Sequence, residues 1–131
     1  MSGGYIKYLK NIIPLLKSNS YISDLFVFLP AEHEKSFVLN SIPIVIIPNT
    51  NLLKKYDFIK QKLRQYTSDV VFIPTAQWLN LGHIPITVMI RNMEPLLIPF
   101  KGNPVREKLI NLLRAIVAYR AVKKADRVIA V

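Results

Sequence analysis

The strongest constraint on the fold is the kind of apolar run this chain carries and what closes each run. Leu25 to Leu29 is apolar without a break and stops at Pro30. Ile42 to Ile47 runs into Pro48 and Asn49, and Asp69 to Ile73 into Pro74. Ile84 to Ile90 and Arg127 to Val131 are further stretches of the same kind. Short runs that are apolar at successive positions, and not only at alternate ones, suit strands covered on both faces. Between them the spacing turns helical. Gly3 to Lys17 repeats Ile6, Leu9, Ile13 and Leu16, with Lys7, Lys10 and Asn11 between, and Pro14 is expected to kink or shorten that helix. Asn51 to Gln65 places Leu52, Leu53, Tyr56, Ile59 and Leu63 on one side. Asn103 and Pro104 suit an N-cap and a first helical position for the longest helix, ending at Lys124. Val105, Leu109, Leu112, Leu113, Ile116 and Val117 are expected to form its buried stripe. Strands alternating with helices predict an α/β class: a Rossmann-like, doubly wound parallel sheet with helices on both faces.

With 131 residues the chain reads as a single domain over 1–131. Hydrophobic residues make up 51% and charged residues 20%, which is a globular composition. The sequence contains no cysteine, which excludes disulfides, thiolate metal sites and cysteine nucleophiles. The net charge of +10, from 18 basic and 8 acidic residues, attracts anions of any class: nucleic acid, lipid headgroups or phosphorylated substrates. No apolar run reaches the roughly 20 residues of a membrane-spanning helix. The start at Met1-Ser2-Gly3-Gly4-Tyr5 lacks the charged and apolar regions of a signal peptide. A soluble or peripheral protein is expected.

Residues that could carry chemistry fall into separate segments. Gly3 and Gly4 in front of a helix would let a phosphate approach free N–H groups and the positive end of the helix dipole, or they form a flexible end. Thr75, Gln77 and Trp78 follow a predicted strand, where open α/β sheets bind ligands. Their hydroxyl, amide and aromatic face suit a sugar, although Trp78 could equally pack on its own loop. Arg91, Asn92 and Glu94 follow the next strand. Arg91 suits a phosphate or carboxylate, Asn92 donates and accepts, and Glu94 could act as a general base. The alternative is an internal Arg91–Glu94 pair that shapes the loop. His33 and His83 read as loop residues without metal-ligand spacing.

Taken in order, these pieces resemble the N-terminal domain of family 4 glycosyltransferases, which have the GT-B fold. The resemblance rests on the Gly3-Gly4 turn leading into Tyr5 to Lys10, on Asp69 to Thr75, on Ile86 to Leu96, and most specifically on Ala125-Asp126-Arg127-Val128-Ile129-Ala130-Val131. It implies transfer of a sugar from an activated donor, commonly a nucleotide sugar, to an acceptor hydroxyl, with no bound metal and no cofactor besides that co-substrate. It places Gly3 and Gly4 near the donor phosphates. It places Arg91, Asn92 and Glu94 near the acceptor, which is a sugar or a lipid-linked acceptor, with Thr75 and Trp78 lining the site. The family often has His-Asp where this chain has Arg91-Asn92. The family's first strand, ahead of Gly3, has no counterpart here, nor does the donor-binding C-terminal domain. The expectation is therefore an acceptor-side half, inactive without a donor-binding domain or subunit: a gene fragment, an excised piece or one member of a split enzyme. It would be cytoplasmic and peripheral at the inner face of the membrane. The rival readings are a basic membrane-surface module, resting on Arg106, Lys108, Arg114, Arg120, Lys123 and Lys124 beside the apolar stripe, and a nucleotide- or nucleic-acid-binding Rossmann-like module without catalysis. The last of these ranks lowest, because the Gly3-Gly4 turn lacks its strand and the usual G-x-G-x-x-G spacing.

Overall fold

The computed structural model describes residues 3–36, 42–90 and 104–130. They fall into two compact units, Met1–Lys62 and Leu63–Val131. In the first unit, helix α1 (Gly3–Lys17) leads to strand β1 (Val27–Pro30), a 3-10 helix (Ala31–Ser36), strand β2 (Ile44–Ile47) and helix α2 (Leu52–Gln65), whose last residues belong to the second unit. The second continues with β3 (Val71–Ile73), β4 (Ile86–Ile90), helix α3 (Val105–Lys124) and β5 (Arg127–Ala130). The chain is mixed α/β with parallel pairing throughout the described residues. The strands form two sheets, one of order β1-β2 and one of order β3-β4-β5. Among the described residues β1 therefore pairs only with β2, and β3 only with β4.

In the first unit, Ile13 of α1 meets Leu29 of β1 and Ile42, with Leu9, Ile12, Val27, Ile44 and Ile46 packed around them. The expected face of α1 thus does the burying, while Lys7, Lys10 and Asn11 are exposed. Pro14 neither ends nor shortens this helix. It lies on the exposed side, and its own carbonyl accepts the Ser18 N–H at 3.0 Å. A proline there removes only a bond whose carbonyl can turn to water.

Helix α2 is closed at both ends by side-chain and backbone geometry. Asn51 Oδ1 accepts the Lys54 N–H at 2.9 Å, which makes Asn51 the N-cap. At the other end the Ser68 N–H reaches the Leu63 carbonyl and the Thr67 N–H the Arg64 carbonyl, each at 3.2 Å, with Thr67 at φ +47°. This is a Schellman closure with a β-branched residue in the left-handed position that glycine normally fills. Thr67→Gly is expected to raise stability by about 1 kcal/mol, since the relief of left-handed strain exceeds the added entropy of the unfolded chain. Urea denaturation checks this, and a loss of stability would show that the Thr67 side chain holds a compensating contact.

The second unit is built on β4. Ile86, Val88, Met89 and Ile90 are buried, and Val88 is completely so. Asp126 fixes where β5 begins. Its N–H donates to the Ile86 carbonyl at 3.0 Å, and its Oδ2 accepts the Ile86 N–H at 2.8 Å. The ladder then runs from Thr87↔Arg127 to Ile90↔Ala130.

Two expectations for α3 are corrected. Pro104 is the residue before the helix, with φ −55° and ψ 154°, and not its first helical residue. Its carbonyl still accepts the Lys108 N–H at 3.0 Å, so the helix starts one residue later than the sequence predicts. The apolar stripe of Val105, Leu109, Leu112, Leu113, Ile116 and Val117 is exposed, and the buried residues are Ala118 and Ala121. The helix has apolar residues on both sides. The small side chains let the backbone approach the sheet closely, so the larger ones face outward.

Candidate functional site

In open parallel sheets, ligands gather beyond the carboxyl ends of the strands. In the first unit that end carries the 3-10 helix after β1 and the Pro48–Asn51 loop after β2. The helix α1 delivers the chain toward the amino end of β1, so its first turn lies toward the opposite end. Gly3 and Gly4 are in that first turn and not in a loop ahead of it. Their N–H groups are thus among those a helix leaves without internal acceptors, which is the property an anion would use.

The same unit holds a group that spacing alone did not single out. His33 lies within the 3-10 helix directly after β1, half-buried, with Nε2 3.5 Å from Glu32 Oε1. The approach is close enough for an ion pair but lacks hydrogen-bond alignment. Among the described residues Nε2 is a buried side-chain nitrogen with no hydrogen-bond partner. Sequence reading took His33 for an ordinary loop residue, because the signal is its place at a strand's carboxyl end and not a motif. His83 is exposed and has no such setting. A cleft of about 280 Å³ lined by Lys17, Asp24, Phe26 and Pro43 also belongs to this unit. Phe26 and Pro43 precede β1 and β2, so the cleft lies at the amino ends, away from the expected ligand side. Position in the topology is the better guide here, and the cleft is not the candidate site.

In the second unit, Thr75 follows β3 as expected and is half-buried. Its carbonyl accepts the Gln77 N–H at 2.8 Å, a tight turn that leaves the Gln77 side chain exposed. Trp78 is half-buried and has a partner: Lys124 Nζ stands 5.3 Å from the ring centroid. A cation over the indole face is worth roughly 0.5–1 kcal/mol at an exposed site. It draws Trp78 toward the point where α3 hands the chain to β5, at the amino end of that strand. Arg91, Asn92 and Glu94 come directly after the last residue of β4 and lie outside the described residues.

Among the described residues no three His, Asp or Glu side chains gather as a metal-ligand set. No helix among them is long and apolar enough to cross a membrane. Compared with protein-family models, curated proteins and solved structures, the chain matches none.

Proposed function

We propose that this chain is the N-terminal, acceptor-side half of a glycosyltransferase, moving a sugar from an activated donor, a nucleotide sugar, to an acceptor hydroxyl together with a donor-binding domain or subunit. The observation that carries this reading is the order of elements: a helix opened by two glycines, strands paired in parallel, a long helix, and a closing strand entered through Asp126.

In this reading the first turn of α1, with Gly3 and Gly4, faces the donor phosphates. Arg91, Asn92 and Glu94 orient the acceptor, and Glu94 takes the proton of its hydroxyl as that oxygen bonds to the sugar's anomeric carbon, while the bond from that carbon to the donor phosphate breaks and the nucleotide leaves with the electron pair. Thr75 lines the acceptor side, and Trp78 offers only the ring face that Lys124 leaves open. His33, beside Glu32, adds an imidazole at the carboxyl end of β1.

The test is transfer of labelled sugar from a panel of nucleotide sugars to lipid-linked and free glycan acceptors. The chain alone is expected to stay at the uncatalysed background. Adding a polypeptide that supplies a GT-B donor-binding domain is expected to produce turnover, which Glu94→Gln then lowers by about 100-fold or more. Turnover by the chain alone would refute dependence on a second half. Salt-dependent binding of RNA without any response to nucleotide sugars would refute the transferase reading itself.

A further inference from the structure

The outward face of α3 is left unused by the transferase reading. At ~100° per residue, Val105, Leu109, Leu113, Ile116 and Val117 fall on one arc of about 120°. All five are exposed, Val105 at 82% and Leu109 at 60%. The buried Ala118 and Ala121 lie on the other side of the helix. Apolar surface of this extent on a water-facing helix marks a docking face.

Charge decides what docks there. Arg106, Arg120 and Lys123 lie on the same arc, while Glu107, the single acidic residue of α3, lies on the opposite side. A second copy meeting this face by two-fold symmetry would set one basic face against another, with no acidic residue on either. A sheet of anionic headgroups over hydrocarbon meets both demands together. The apolar side chains enter the acyl boundary, and the long basic side chains reach back to the phosphates. We propose that α3 docks the protein flat on an anionic membrane surface. This inference does not rest on the transferase reading.

The test is flotation of the full-length chain with phosphatidylcholine vesicles, with and without phosphatidylserine. Capture is expected with phosphatidylserine only, and it should fall steeply as salt rises. Each basic residue contributes about fivefold to partition, so Arg120→Gln with Lys123→Gln should weaken capture about 25-fold. Lys54→Gln with Lys55→Gln on α2 removes the same charge and should weaken it less than about threefold. Leu113→Gln with Ile116→Gln should also release the protein, with far-UV circular dichroism confirming that every variant is folded. The proposal fails if the folded chain ignores phosphatidylserine, or if the α2 and α3 pairs lose capture equally. It fails too if the chain is a dimer that Leu113→Gln with Ile116→Gln dissociates. It fails, finally, if the α3 variants lose a co-purifying acidic protein but keep full vesicle binding.

Discussion

Replacing Val88 by aspartate is expected to abolish folding of the Leu63–Val131 unit. Val88 is completely buried at the middle of β4, the central strand of its sheet, with β3 on one side and β5 on the other. Its strand neighbours Ile86, Met89 and Ile90 are also buried, and no buried polar or charged residue occurs among the described residues. A carboxylate placed there has no partner and must either lose its hydration or take up a proton. The cost, at least ~4–5 kcal/mol, is comparable to the whole stability of a small domain. Val88→Ala is the control: it removes the same packing without adding charge, and about 2–3 kcal/mol is expected from lost burial and the cavity left behind. Trp78 is the sole tryptophan of the sequence and belongs to this unit, so its fluorescence reports the loss directly. The sign with pH follows from burial. The Val88→Asp carboxyl would have a raised pKa in any folded state, so that state binds more protons and the variant regains stability relative to Val88→Ala as pH falls. If Val88→Asp melted where the parent chain does, β4 would not be the core of its unit.

The elements that could be read from sequence are those whose signal is local. Pro48 and Pro74 stand directly after β2 and β3, Pro30 is the last residue of β1, and the other described strands lie within the stretches ending at Ile90 and Val131. Helices α1 and α2 lie where their periodicity places them, although Leu52 and Leu53 of α2 are exposed and Leu63 is its buried residue, and α3 starts within one residue of its proline signal. What could not be read depends on partners. Nothing in a continuous apolar run says which strand it will pair with, so separate two- and three-stranded sheets were not legible. The face that α3 buries was misread for a related reason. Its large apolar residues give the stronger periodic signal, but Ala118 and Ala121 fit closer to the sheet. Lys124 over Trp78 joins residues far apart in sequence, and no pattern announces it. Thr67 in a left-handed turn runs against the glycine rule that would have marked the end of α2. On the site, Thr75 stands where strand order put it. His33 was passed over because a lone histidine has meaning only once β1 is known to end beside it.

Asp126→Ala is expected to loosen the second unit by about 2 kcal/mol, and the reason bears on how the closing segment should be understood. Asp126 satisfies both backbone groups of Ile86, accepting the N–H through Oδ2 at 2.8 Å and donating its own N–H to the carbonyl at 3.0 Å. The preceding Ala125 N–H closes α3 on the Ala121 carbonyl at 2.9 Å. Helix end, turn and strand start are thereby fixed within two residues, and the register from Thr87↔Arg127 onward follows. Alanine keeps the backbone bond but leaves the Ile86 N–H without its charged acceptor, a loss of about 1.5–3 kcal/mol for a bond of this type. Asparagine keeps an oxygen in place and gives up the charge, so about half that loss is expected. Amide exchange separates this account from a general weakening. Ile86 and the β5 amides should lose protection first in Asp126→Ala, while the Met1–Lys62 unit keeps its own. If alanine and asparagine were equally harmful, or if β5 kept full protection, the side-chain bond would not be what sets the register. The expected outcome makes Asp126 a positioning residue, so the most specific segment of the resemblance argues for the fold and not for the chemistry.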